Sequence, residues 1–192
     1  MKSLILDSAT KVMYCCLVVD GNVVFEEYVE GRNDHAKNIV LKVDEACKKA
    51  GITTNELDEV ICGVGPGSYT GVRMAVTVCK MLSVFQKIKL YSISTLKLMA
   101  SGSKGKVLAS IDARRGNAFG TIIDTVNNEV IVEEALHSIE ELKNNNFDYQ
   151  VNEEKFIVDP IYCLENKEEV LEPHLLTPNY LRDTEAERNL NA

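Results

Sequence analysis

A glycine-rich string, Gly63-Val64-Gly65-Pro66-Gly67-Ser68-Tyr69-Thr70-Gly71-Val72-Arg73, comes nearest to chemistry by residue type and spacing. It joins a short apolar run to a strongly apolar helical pattern, and so reads as strand, tight turn and helix. The glycines permit positive φ and close backbone approach, Pro66 stiffens the turn, and Thr70 is the expected N-cap. The free amides of such a helix start suit an anion. Two phosphate-binding patterns fail all the same. The dinucleotide fingerprint needs a third glycine where Thr70 stands, and the Walker pattern needs a Gly-Lys-Ser/Thr that is missing.

Other reactive side chains are sparsely patterned. Asp7 and Asp112 each close a short apolar run. Six cysteines (Cys15, Cys16, Cys47, Cys62, Cys79, Cys163) form no Cys-x-x-Cys and lie mostly inside apolar patterns, which reads as buried free thiols in a reducing cytosol. His35 stands at the first turn of an expected helix with no second imidazole one turn away, so it reads as solvated or capping. No nucleophile has a plausible base beside it in sequence.

The elements that would position these groups follow from periodicity. Residues 2–7, 12–19 and 22–29 read as three strands, with Asp20-Gly21 a hairpin turn. From a cap at Asn33 or Asp34, Ala36, Ile39, Val40, Val43, Ala46, Cys47 and Ala50 recur at helical spacing until Gly51, with Leu41 outside the stripe. Thr53-x-x-Glu56 has capping-box spacing, and a strand over 59–63 leads into the glycine string. In the helix over 70–85, Met74, Val78, Met81 and Phe85 share one side. Val72, Ala75, Val76, Cys79 and Leu82 spread over much of the rest, and Arg73, Thr77 and Lys80 form a polar strip. A helix apolar nearly all round is covered on more than one side, by a second layer or by a partner chain. A strand over 89–92 and a short helix over 94–100 capped by Ser94 complete the order β-β-β-α-β-α-β-α. This is the ribonuclease H-like order, with a mixed sheet and helices on its faces.

Ser101-Gly102-Ser103-Lys104-Gly105 is the flexible-looking boundary, giving an N-terminal lobe over 1–100 and a smaller, acidic C-terminal lobe over 101–192. The second lobe begins like the first, with a strand over 107–112 and strands over 117–124 and 129–133 around Asn127-Asn128. A weak helix capped by Ser138, a last strand over 155–158 and a turn opened by Thr177-Pro178 follow.

With 192 residues, 45% hydrophobic, the chain can bury a sizeable core, and no apolar run approaches the ~20 residues of a membrane helix. A cytoplasmic protein without a membrane segment is expected. The net charge of −8 is uneven: residues 1–100 hold 12 Lys/Arg against 11 Asp/Glu, and residues 101–192 hold 9 against 18. An acidic half without a basic cluster does not grip nucleic acid directly.

The strings Gly65-Pro66-Gly67-Ser68-Tyr69-Thr70-Gly71-Val72-Arg73, Ile111-Asp112-Ala113-Arg114-Arg115-Gly116 and Pro178-Asn179-Tyr180-Leu181-Arg182 together resemble the TsaB (YeaZ) family. Leu6-Asp7-Ser8-Ala9-Thr10, His35, Gly51-Ile52 and Ser94-Thr95-Leu96 agree, so the resemblance covers nearly the whole chain. It implies an actin/Hsp70-like pair of lobes, the second shortened because the span between about Glu140 and Pro178 is shorter than in the family. It also implies a role in making threonylcarbamoyladenosine, the modified adenosine beside the anticodon of many tRNAs. In that family the chain pairs with TsaD, a related protein that carries metal and transfers the threonylcarbamoyl group, and the ATPase TsaE docks on the pair. The pairing surface is built from two helices, here residues 35–50 and 70–85. The residues expected to contribute are His35, Ile39, Leu41, Lys42, Val43 and Ala46 from the first helix. Gly67, Ser68, Tyr69, Thr70, Val72, Arg73, Val76 and Lys80 are expected from the glycine string and the second.

The residues speak separately to catalysis. TsaD-type proteins carry His-x-x-x-His where this chain has Thr95 and Met99, and a hydroxyl with a thioether cannot replace two imidazoles, so no metal is expected. After Asp112 a single glycine stands where ATP-binding relatives have a glycine run. Asp7, with Ser8 and Thr10, and then Asp112 remain the candidates for a nucleotide, against a strand-end turn whose hydroxyls bond their own backbone. The expectation is a non-catalytic partner subunit without a cofactor that stabilises and orients TsaD and self-associates in its absence. The alternative is an ATP-dependent kinase or hydrolase of the same fold using Asp7 and Asp112, or a degenerate peptidase.

Overall fold

The computed structural model of the chain describes residues 1–30 and 35–181, the side chains of residues 35–37 excepted. The expected cap at Asn33 or Asp34, the His35 side chain and Arg182 lie outside the described residues.

Three antiparallel strands open the protein: β1 (Lys2–Asp7), β2 (Val12–Val19) and β3 (Asn22–Glu30). The β2–β3 turn places Asp20 and Gly21 at φ 50° and 79°, the left-handed pair that a tight hairpin demands. Helix α1 (His35–Ala50) leads through a short 3-10 turn at Thr54–Glu56 to β4 (Glu59–Gly63), which runs parallel to β1. Helix α2 (Tyr69–Gln86) follows, then β5 (Lys89–Ile93), parallel to β4, and α3 (Thr95–Ala100). The strand order from β3 through β2, β1 and β4 to β5 is the ribonuclease H-like arrangement.

Both faces of the sheet are covered at β1 and β2, which is why these two strands read as nearly continuous apolar runs rather than alternating ones. Leu4, Leu6, Met13, Cys15 and Leu17 point toward α1 and α2, where Ile39, Val43, Ala46, Val72, Val76 and Cys79 meet them. Ile5, Tyr14, Cys16 and Val18 point the other way, against Leu98 of α3 and Val158 and Cys163. All six cysteines are buried and free.

A second sheet holds β6 (Lys106–Arg114), β7 (Asn117–Asp124), β8 (Glu129–Ser138) and β9 (Tyr149–Asn152), in the order β8-β7-β6-β9. Ser138 caps the short α4 (Ile139–Lys143). No strand forms over 155–158. Lys155 makes only an isolated bridge to Asn152, and the parallel partner of β6 is β9, whose polar residues hid it. Helix α5 (Pro160–Glu165) starts at Asp159, whose carboxylate accepts from the amides of Ile161 and Tyr162.

The chain then returns to the first lobe. A two-residue strand, β10 (Glu168–Glu169), extends the first sheet by pairing antiparallel with β5. Its anchor is Lys167, whose ammonium meets the Glu59 carboxylate and lies 4.3 Å from the Tyr91 ring centroid. Glu59 is buried and also accepts from Ser3 Oγ at 2.7 Å. The Thr177-Pro178 turn does not form, and that stretch runs over α2 without regular structure.

Truncating Lys167 would strand a buried carboxylate. Lys167→Ala is expected to cost about 2–4 kcal/mol in urea unfolding. A loss below about 0.5 kcal/mol, the scale of ordinary surface substitutions, would show that the pair does not anchor the tail.

Candidate functional site

Strand β1 delivers Asp7 to the base of the glycine-rich loop. Its carboxylate is 2% exposed. One oxygen accepts from the Ala9 amide at 2.8 Å and the other from Thr95 Oγ1 at 2.5 Å. Thr95 completes the link by accepting from the Gly65 amide at 3.0 Å, while its own amide donates to the Gly65 carbonyl at 2.9 Å. Burial raises the Asp7 pKa above the usual carboxylate value, and the bonds from Thr95 and Ala9 pull it partly back.

The other expected nucleotide ligands are engaged in the same way. Ser8 Oγ donates to the Gly71 carbonyl at 2.7 Å, and Thr10 Oγ1 donates to the Val12 carbonyl at 2.7 Å. The loop therefore lies directly on the turn that follows β1. A Cβ on Gly63 would stand 1.8 Å from Asp7 Oδ2, and one on Gly71 would stand 2.0 Å from the Ser8 carbonyl oxygen. These glycines are needed for close approach of the chain to itself. Asp112 lies apart at the end of β6. It is exposed, it caps its own hairpin by accepting from the Arg114 amide at 2.8 Å, and its amide donates to Glu153. Arg114 and Arg115 are exposed at that hairpin tip in left-handed conformations. Among the described residues no three His, Cys, Asp or Glu side chains converge as a metal site requires.

The helix start differs from expectation in one respect. Ser68, not Thr70, is the N-cap, its hydroxyl accepting from the Gly71 amide at 3.3 Å, so the helix gains a residue and Thr70 faces outward. Arg73 stacks on Tyr69, 4.0 Å from its ring centroid, and its Nε donates to the Tyr180 hydroxyl at 2.6 Å. The rings of Tyr69 and Tyr180 are themselves stacked, 5.3 Å apart. One turn beyond Thr77, Lys80 donates to the carbonyls of His174 and Leu176 at 2.8 and 3.0 Å. The polar strip of α2 is thus the seat of the C-terminal segment. On its far side Glu134 of β8 accepts from Ser94 Oγ and from Asn179 Nδ2, and burial raises its pKa.

Several residues expected on a partner face lie inside the monomer. Ile39, Val43, Ala46, Val72 and Val76 are buried in the core between helices and sheet, because the first lobe needs that apolar stripe to cover its own sheet. Gly67 presses against Ala9, and Lys42 is held by Glu27 and Glu45. Leu41, Ser68, Tyr69 and Thr70 are exposed. Val40, expected within the buried stripe, is 59% exposed. Exposed aliphatic and aromatic side chains on the outer sides of these two helices include Val40 and Leu41 on α1 and Met81, Val84 and Phe85 on α2, Phe85 being 76% exposed. Met74 and Val78 are half-buried beside them. Periodicity had already placed Met74, Val78, Met81 and Phe85 on one side. What the sequence lacks is the means to tell which apolar side of α2 faces the sheet.

Comparison with known proteins places these features in a family. The family described as tRNA N6-adenosine threonylcarbamoyltransferase (TsaD) matches residues 29–160. The tRNA threonylcarbamoyladenosine biosynthesis protein TsaB of Escherichia coli (strain K12) is 32% identical over 124 residues, which are 62% of this chain and 53% of that protein. The Bacillus subtilis (strain 168) TsaB is 26% identical over 122 residues, 62% of this chain and 53% of that protein. The matched region thus spans about half the length of these relatives. Among solved structures, a Pseudomonas aeruginosa protein described as similar to the peptidase YeaZ superposes with a TM-score of 0.78 at 20% identity, covering 94% of this chain and 99% of that one. YeaZ from Pseudomonas aeruginosa gives 0.75 at 19% identity, with the same coverage. These likenesses show the fold.

Thr95 is the test of the buried link. Thr95→Val keeps the shape but leaves the Gly65 amide unpaired and Asp7 one donor short, an expected loss of about 2–4 kcal/mol. A buried acid with a raised folded pKa adds stability that is complete below its unfolded value and is lost as pH rises through the folded one. Without the Thr95 hydroxyl the folded value rises further, so the deficit of the variant should grow as pH rises above the ordinary carboxylate range. Denaturant unfolding across that rise measures it, and a deficit independent of pH would contradict the role given to Asp7.

Proposed function

The chain belongs to the TsaD family in the broad sense of that match, on its TsaB (YeaZ) side, and from this premise we propose that it is a non-catalytic partner subunit in tRNA threonylcarbamoyladenosine biosynthesis. It binds and stabilises a TsaD-type transferase, which modifies the adenosine beside the tRNA anticodon, and it presents with that partner a platform on which a TsaE-type ATPase docks. The reading places this work in the cytoplasm and leaves the grip on tRNA to the partner.

The observation that carries the proposal is the outward apolar surface of the two first-lobe helices: Val40 and Leu41 of α1, and Met81, Val84 and Phe85 of α2, flanked by Met74 and Val78. Side chains of this kind gain most by leaving water, at about 25 cal/mol per Å² of apolar area. Two helices offering such a face suit a standard interface of ~1,600 Å². The turn after β1 favours the same reading. Asp7, Ser8 and Thr10, which an ATP-dependent enzyme of this fold would turn toward a nucleotide, are each hydrogen-bonded to their own chain.

Static light scattering tests the proposal. The chain alone is expected as a homodimer through this face, converting to a one-to-one heterodimer on addition of a TsaD-type protein. Phe85→Glu, which buries no charge in the monomer, is expected to remain folded and to prevent both assemblies. Val76→Glu is expected to unfold the monomer, because Val76 is 4% exposed. Near-wild-type pairing by folded Phe85→Glu protein would overturn the helix-face assignment. ATP turnover by the isolated chain that is lost in Asp7→Asn would overturn the non-catalytic reading.

A further inference from the structure

We propose that residues 177–180 are a latch between the two lobes, fixing β8 of the second lobe to the glycine-rich loop and the amino end of α2 in the first. The latch concerns the chain's own lobes and is independent of what the outward helix face binds.

Two consecutive residues make the connection. The Asn179 amide donates to the Val64 carbonyl at 2.7 Å, adding the tail to the loop as an extra strand-like contact. Its carbonyl oxygen lies 3.1 Å from where a Cβ on Gly65 would stand, so Gly65 is also the floor on which the tail rests. Its side chain reaches the other lobe, Nδ2 donating to Glu134 Oε1 at 2.7 Å. The second oxygen of Glu134 accepts from Ser94 Oγ, the cap of α3, so one carboxylate joins β8 to both the tail and the first lobe. Tyr180 finishes the seat by accepting from Arg73 and stacking on Tyr69 in the first turns of α2.

The contacts upstream differ in kind. Between β10 and residue 177 the tail is held to the first lobe through β5, Lys80 and the packing of Val170 and Leu176. Residues 177–180 can therefore leave this seat while 168–176 stay in place. The released state would free the Val64 carbonyl, the face of Gly65 and one oxygen of Glu134 together, because a single residue holds all three.

Hydrogen exchange read by mass spectrometry on the full chain tests the latch from both ends. Asn179→Ala is expected to raise exchange about tenfold or more in three places: the tail at 177–181, the loop at 64–67 and β8 near 133–136. Glu134→Ala, made on the opposite lobe, is expected to loosen the tail and the loop in the same way, since the coupling is reciprocal. Tyr180→Phe keeps the ring stack and should give a smaller rise. In every variant β1 and β4 should exchange as in the parent. If Asn179→Ala or Glu134→Ala raises exchange only in its own segment, the tail is a passive terminus and the latch does not exist.

Discussion

The fold depends on one close approach, the seating of the glycine-rich loop on the turn after β1 with the Asp7 carboxylate enclosed beneath it. A buried carboxylate is tolerable only if its oxygens are satisfied, and here an amide and the Thr95 hydroxyl satisfy them. The same hydroxyl receives the Gly65 amide, so a single threonine at the start of α3 ties the end of β1 to the loop between β4 and α2. Gly63 and Gly71 have no room for a side chain because that contact is already filled. The position of α2, and with it the helix layer on that face of the sheet, follows from this joint.

Residues that look like ligand-binding equipment are here used to hold the chain to itself. Ser8 and Thr10 bond backbone carbonyls, and Arg73 and Lys80 hold the returning tail. The helix behind the loop is consequently three-sided. One side buries Val72, Ala75, Val76 and Cys79 against the sheet, one carries the tail, and the third leaves Met81 and Phe85 in water. That third side, with Val40 and Leu41 of α1, is the surface proposed above for another protein.

Most of the first lobe is legible in the sequence because local rules and global packing agree there. The Asp20-Gly21 turn, the Thr53-x-x-Glu56 box, the Ser94 cap and the long apolar helix all stand where periodicity and capping place them. The second lobe is less legible. β9 is four residues of mixed polarity, visible only as a partner for β6, and β10 is two glutamates that become a strand because β5 has a free edge. Which helix face is exposed is less legible for a related reason. Ala46 and Val76 lie on apolar stripes just as Met81 and Phe85 do, and periodicity says that a stripe exists but not whether sheet or solvent lies against it. The Ser68 cap was missed because Ser68 and Thr70 are chemically equivalent candidates two residues apart, and the choice is made by how Ser68 donates its amide to the Ala9 carbonyl.

The most direct measurement is site-specific photo-crosslinking in a mixture of this chain and a TsaD-type protein, with the reactive residue placed at position 85 on the outward helix face or at position 115 on the β6–β7 hairpin tip. The account predicts efficient capture of the partner from position 85 and little from 115. Capture from 115 with none from 85 would contradict it and would move the interface to the second lobe.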